Sequence, residues 1–452
     1  MTASKVDFVH RWASTARRAG LASLGGCALA ALLGIALPEG AVASPKATPR
    51  NAPLWAAAEA LRPAQLQLLE QVVNIDSGTG DAPGGARVAD VLVPRLEALG
   101  MSVRRVPAEA PGLGDNIVAT LAGRGKGRIL MIGHLDTVFG PGTVAQRPFR
   151  VMGDRAMGPG VGDEKGGVVE GLLALQILGK LGFHDYARIT LLVESSEERG
   201  SPGTRSLIDE LLRDADVELN LEPGDPPDAL TTWRKGSMNF ELHVHGRAAH
   251  AGVAPQDGRN AAEELIHQLQ STPVFPKSGE GLTVNLTLMS AGSRANIIPE
   301  DASATYNVRI REKGQADGVA RALAEVAAHP LVPDTKVTVV TTPSFPPLPD
   351  NPATAALADR AAAIYAGLGL PLGRGGNGGA SESALAAEAG VPALDGLGPV
   401  GGGFHSDAEY IELRSLTPRL YLLAGLLMDL GRNPPARPAP VALPTTPGGA
   451  SR

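Results

Sequence analysis

Seven side chains in this sequence stand where apolar runs or glycine loops stop, and their types are those that bind divalent metal and move protons. His134 and Asp136 follow the apolar run 129–132 and Gly133. Two residues apart on extended backbone, they point to one side, so the Asp136 carboxylate can orient the imidazole of a metal ligand. Asp163 lies in the loop G-P-G-V-G-D-E-K-G-G, residues 158–167, whose five glycines permit close turns and hold the acid at a helix amino end. Glu197 and Glu198 are adjacent acids after the run 188–193, and Glu222 follows the run 217–221. Neighbouring side chains diverge at a strand end, so one acid can bind metal while the other faces a reacting water. His405 follows three glycines in the stretch G-G-G-F-H-S-D.

Each feature alone has an ordinary reading: a satisfied core histidine, a βα turn, a solvated acid pair. Their repetition at the ends of one α/β layer favours a common site. Oxygen and imidazole donors without thiolate suit a catalytic zinc pair or a related divalent metal. The single cysteine, Cys27, lies in the N-terminal segment and offers neither a disulfide framework nor thiolate ligation. Two cations also explain why so many carboxylates gather, since acids without cations between them repel one another and take up protons.

The elements that position these groups alternate along the chain. Helical spacing covers 54–73 and 86–99, and strands are expected at 116–121 and 128–133 with the turn G-R-G-K-G closing a hairpin between them. After G-D-P-P-D the pattern changes. The stretch 238–246 alternates, with Met238, Phe240, Leu242 and Val244 on one face and Asn239, Glu241, His243 and His245 on the wet one. A helix with Asn260 as N-cap and Glu263 in a capping box, strands at 282–289, 302–310 and 335–340, and a helix at 316–328 complete βαββαβ, a ferredoxin-like insertion. The predicted division is 54–228 and 342–431 for one α/β domain, 229–341 for the insertion, and 432–452 for a disordered tail.

With 452 residues, 43% hydrophobic, the chain is too long for one core. A net charge of −6 provides no basic field for nucleic acid or an anionic membrane. Residues 1–43 read as an export signal: basic residues, an apolar stretch, then Ala41-Val42-Ala43 as a cleavage site. The Arg17-Arg18 pair also permits twin-arginine export. Both Sec and twin-arginine routes lead to a periplasmic or secreted protein with no stable membrane association after cleavage.

The ordered motifs G-H-L-D-T-V, G-P-G-V-G-D-E-K-G-G, E-E-R-G-S, L-E-P-G, A-A-H-A-G, A-N-I-I-P and F-H-S-D-A-E-Y, spread over about 54–430, resemble the two-zinc aminoacylase and carboxypeptidase metallopeptidases, and within them the secreted bacterial glutamate carboxypeptidases. The resemblance implies a catalytic domain with a mixed sheet flanked by helices, plus an α+β lid that pairs two subunits as a homodimer. It implies two Zn2+ per subunit, other divalent metals being alternatives, with His134, Asp163 and Glu222 holding one ion and Asp163, Glu198 and His405 the other. Glu197 would be the general base and Asp136 the support of His134. His250 would reach the partner's active site and stabilise the oxyanion, while Asn296 and Arg309 would take the substrate's terminal carboxylate. The implied activity is hydrolysis of a C-terminal peptide or amide bond by water activated between the metals. The alternatives are an N-acyl amino acid amidohydrolase or dipeptidase of the same family and, more remotely, a non-catalytic periplasmic binding protein. The chain departs from the family pattern in three places: Gly162 replaces a common alanine, Glu164 follows the bridging acid, and Ser381-Glu382 stand where an aspartate is frequent.

Overall fold

The computed structural model describes residues 49–436. The export signal assigned to 1–43 lies outside the described residues, as does the tail beyond 436. The run Arg128–His134 is an inner strand of a six-stranded sheet with the order Ser102–Val106, Asn116–Ala122, Arg188–Glu194, Arg128–His134, Val217–Asn220, Ala393–Leu394. The first two pairings are antiparallel and the others parallel, which makes the expected mixed sheet. Ile129 and Met131 pack in one core cluster with the helices Ala52–Val73, Lys165–Lys180 and Leu416–Arg432. Leu130 and Ile132 join Leu207, Ile208 and Leu385 on the opposite face. Both faces are covered, so the strand is apolar throughout rather than alternating.

Register sets the site. His134 pairs with Glu194 and Ile132 with Asn220, so three parallel strands finish at one edge. The segments that follow them carry His134 and Asp136, Glu197 and Glu198, and Glu222 to that edge, where ligands collect in open α/β sheets.

The hairpin expected around G-R-G-K-G does not form. Asn116–Ala122 and Arg128–His134 share the sheet, but Arg188–Glu194 lies between them and pairs with both. The turn is instead tied to distant backbone: Gly125 N donates to Tyr186 O, and Gly127 N to Gly431 O. A non-local strand satisfies the ladder that the short connection seemed to close.

The glycine loop turns into the helix Lys165–Lys180 through Gly160, which has φ +75°. A Cβ at Gly167 would lie 1.9 Å from the carbonyl oxygen of Leu221, so glycine there lets the helix start against the strand end that carries Glu222. The glycine-rich stretch at 373–383 also contributes a strand. Its first part, Gly373–Asn377, pairs in parallel with Ala229–Arg234.

A four-stranded antiparallel sheet begins at Gly236, with the order Thr283–Ala291, Asp301–Ile310, Gly236–His245, Lys336–Pro343. This is the strand order of the expected βαββαβ unit. Phe240, Leu242 and Val244 form a core with Leu265, Val319 and Leu323 of the helices Ala261–Ser271 and Gln315–Ala327. Asn260 caps the first helix, accepting from Ala262 N and Glu263 N, and its side-chain amide donates to the Glu263 carboxylate. A smaller sheet carries His405 in the connection between Gly398–Gly402 and Tyr410–Glu412. Gly398–Gly402 runs parallel to Pro223–Gly224, beside Glu222. Among the described residues no helix is long and apolar enough to cross a membrane.

Candidate metal centre

Asp163 stands between two histidines far apart in the sequence, His134 and His405. Its Oδ1 lies 3.1 Å from His134 Nε2 and its Oδ2 lies 3.2 Å from His405 Nε2. Glu222 Oε1 is 3.6 Å from His134 Nε2, and Glu198 Oε2 is 3.1 Å from His405 Nε2. The result is two triads, His134–Asp163–Glu222 and Asp163–Glu198–His405, each with ligand atoms within 4.8 Å of one another. Glu197 belongs to neither, although its Oε2 is 3.8 Å from His134 Nε2. His405 itself occupies left-handed backbone at φ 60°, just after Gly403 at φ 71°.

The charge balance fits divalent cations. Asp136, Asp163, Glu164, Glu197 and Glu222 all bring a carboxylate oxygen within 3.8 Å of a His134 ring nitrogen. Burial, and then the charge of Asp163, push the Glu198 carboxyl up to about 7 and Glu222 up to about 6. Burial also opposes charge on Asp163, but hydrogen bonds from His134 and His405 hold it below the usual carboxylate range. Hydrogen bonds to Asp163 and Glu198 in turn push His405 up to about 10. Burial works against a proton on His134, yet Asp136, Asp163 and Glu222 together hold its affinity well above the ordinary value. The carboxylates among these groups crowd negative charge toward the points where the triads converge, the charge that a divalent cation offsets. Imidazole and carboxylate donors are those of zinc and similar divalent ions. The buried Glu164 Oε1 also has no hydrogen-bond partner, while Oε2 accepts from His134 N at 2.9 Å.

Asp136 supports the site through both its backbone and its side chain. His134 Nδ1 bonds the backbone oxygen of Asp136 at 2.9 Å, and the carboxylate is farther, with Oδ1 at 3.5 Å. The carboxylate also accepts from Thr79 Oγ1 and from the backbone N–H groups of Glu197 and Glu198, thereby placing both acids.

Glu409 was not singled out by sequence reasoning, although it lies in F-H-S-D-A-E-Y. Its carboxylate accepts from Gly160 N, Gly162 N and Asp163 N at 3.0–3.1 Å, tying the bridging acid's loop to the segment of His405. Losing those acceptors would strand three backbone donors at about 1–3 kcal/mol each. The glycine at 162 also has a local cause: a Cβ there would lie 2.7 Å from the Phe404 ring, next to His405.

A cleft of about 640 Å³ opens over the triads, lined on one side by Asp163, Glu197, Glu198 and His405 and on the other by Asn239, Asn307 and Arg309 of the lid sheet. Arg309 Nε donates to Asn307 Oδ1 at 3.0 Å, and Asn307 Nδ2 donates to Asn239 Oδ1 at 3.0 Å. Burial lowers the guanidinium's proton affinity, opposed by the charges of Glu197 and Glu198. His250 and Asn296 do not line this cleft. They sit together on the lid, where Ala251 N donates to Asn296 O and His250 Nδ1 accepts from Gly252 N and Val253 N. Ser381 and Glu382 are buried beside the cleft, Ser381 donating to Asp395 and Glu382 accepting from Asn220.

Residues 130–429 match the model of peptidase family M20/M25/M40. The chain is 38% identical over 407 residues to carboxypeptidase G2 of Pseudomonas sp. (strain RS-16), covering 89% of this chain and 97% of the relative. It is 30% identical over 289 residues to a succinyl-diaminopimelate desuccinylase of Paracoccus denitrificans, covering 59% of this chain and 72% of the relative. Human carnosine dipeptidase 1 has a similar fold, with a TM-score of 0.69 at 18% identity, covering 85% of this chain and 100% of that one.

Proposed function

The chain belongs to peptidase family M20/M25/M40 and is a metal-dependent hydrolase of peptide or linear amide bonds, and from that premise we propose a two-zinc carboxypeptidase that releases a C-terminal residue, glutamate by preference. The observation that carries this reading is the division of Asp163's two oxygens between His134 and His405, with Glu197 left outside both triads. On this reading 54–228 and 342–431 form the catalytic domain and 229–341 the inserted lid. His134, Asp163 and Glu222 would hold one ion and Asp163, Glu198 and His405 the other. Bound there, the ions would supply Lewis-acid chemistry, polarising the scissile carbonyl and lowering the proton affinity of the attacking water.

The chain's own residues do the rest. Glu197 is buried, and that burial, only partly offset by His134, raises its proton affinity well above that of an ordinary glutamate. A carboxylate so poised takes a proton from the attacking water and returns it to the nitrogen that leaves as the C–N bond breaks. Asp136 holds Glu197 by its backbone N–H, keeping the proton acceptor in place. Arg309, facing the cleft from the lid, takes the substrate's terminal carboxylate, a partner suited to a guanidinium fork. Arg309→Ala is expected to raise KM at least tenfold for substrates with a free carboxylate while changing kcat little, as for loss of uniform binding. Steady-state kinetics check this, and an unchanged KM rejects the role.

His250 and Asn296 lie on the lid away from their own chain's cleft, which supports a homodimer in which each lid serves the partner's site. Sedimentation velocity should give a dimer, and a monomer with full activity would reject the pairing. The desuccinylase relative favours one second reading, an N-acyl amino acid amidohydrolase. A panel of a glutamate-terminated peptide, an N-acyl amino acid and a dipeptide, offered to the zinc-loaded protein, tests the choice. The highest kcat/KM should fall on the first. A preference for either of the others replaces carboxypeptidase by that alternative, and turnover of none rejects the proposal.

A further inference from the structure

Arg234 reaches a metal-ligating acid from behind. It ends the strand Ala229–Arg234 and is buried, at 3% exposure. Its guanidinium grips Asp395 with two bonds of 2.6 Å, Nε to Oδ2 and Nη2 to Oδ1. The same Nη2 donates to Glu222 Oε2 at 3.3 Å. Asp395 is fully buried and is itself fixed, accepting from the hydroxyls of Ser381 and Ser383 and from Gly396 N. Glu222 is held from its backbone as well, its N–H donating to Asn220 Oδ1 at 3.1 Å. With Oε2 turned to Arg234, it is Oε1 that faces His134 Nε2, at 3.6 Å.

The geometry points to Arg234, locked by Asp395, as a positioning residue that presents Glu222 to the His134 cation through a single oxygen. This rests on the metal-centre reading above and adds a residue to it. The charge arithmetic is consistent with that role. Asp395 neutralises Arg234, so the pair orients Glu222 without cancelling the negative charge that a cation needs, and a planar two-pronged donor is required to hold both acids at once. The serines at 381 and 383 acquire a purpose here. Both donate to Asp395 Oδ2, the oxygen that also accepts from Arg234 Nε, and so fix the acid that holds the clamp.

Arg234 also lines the cleft, so the alternative is direct contact with substrate. Metal binding separates the two. The purified full chain, stripped of metal and titrated with zinc against a competing chelator, should bind two ions. In Arg234→Lys, which keeps the charge but loses the fork, one of the two ions should bind at least tenfold more weakly, the usual range for loss of a group that orients a ligand, while the other changes less than about twofold. Asp395→Asn should do the same, and it serves if Arg234→Lys folds poorly by circular dichroism. Adding Arg234→Lys to His405→Ala, which weakens the other triad, should lower the affinity of the remaining ion by the same factor. Unchanged affinity for both ions in both single variants overturns the clamp, and a raised KM with unchanged affinity assigns Arg234 to the substrate instead. A wild-type chain that takes up no zinc would overturn the metal centre and the clamp with it.

Discussion

Glu197→Gln should retain both metal ions and lose about 10³-fold or more in kcat, within the range measured for removing a general base. The glutamine has the size and shape of the glutamate and keeps one oxygen, but it cannot accept the proton of the attacking water. The separation of roles is geometric: Glu197 is outside both triads, whereas its neighbour Glu198 lies 3.1 Å from His405. Because the change is isosteric and Asp136 contacts only the backbone N–H of Glu197, the placement of Glu198 should survive it. Elemental analysis after gel filtration, paired with steady-state kinetics, checks both halves. Loss of a metal would make Glu197 a ligand, and near-normal turnover would remove it from the chemistry.

Asp163→Asn should cost metal as well as turnover. The carboxylate spans the centre, one oxygen 3.1 Å from His134 and the other 3.2 Å from His405, and an amide replaces one of those oxygens with an N–H donor. A single oxygen can serve one cation, so at least one ion should be lost or weakened more than about 100-fold, beyond the effect of losing a group that merely orients a ligand. Activity should fall by about 10³-fold or more, since both ions act on the same scissile bond. Substitution at either histidine should instead affect one ion more than the other. A variant that keeps two tightly bound ions and turns over within tenfold of the wild type would show that Asp163 does not bridge.

How much of this could be read from residue order depends on range. Ile129 to Ile132 carry a buried strand in their composition, and the acids and histidines stand just beyond such runs, so their convergence follows from the rule that parallel strands end together. The lid was visible through the alternation of Met238 to His245 and the Asn260 cap. Pairing partners were not. Nothing local in Asn116–Ala122 says that Arg188–Glu194 will intervene before Arg128–His134, and Gly373–Asn377 has almost no side chain with which to announce a strand. The supports of the site were hidden for the same reason. Glu409 caps a loop 246 positions earlier, and Arg234 finds Asp395 161 positions later. Each is a single charged residue whose role exists only in the contact.

Asp163 must serve two cations at once for this chemistry to run. Crystals of the zinc-loaded protein, measured at the zinc absorption edge, test this directly. Two anomalous peaks should flank the Asp163 carboxylate, one against His134 and Glu222 and the other against Glu198 and His405, with Glu197 bound to neither. A single peak, or zinc held elsewhere with Asp163 bare, would contradict it.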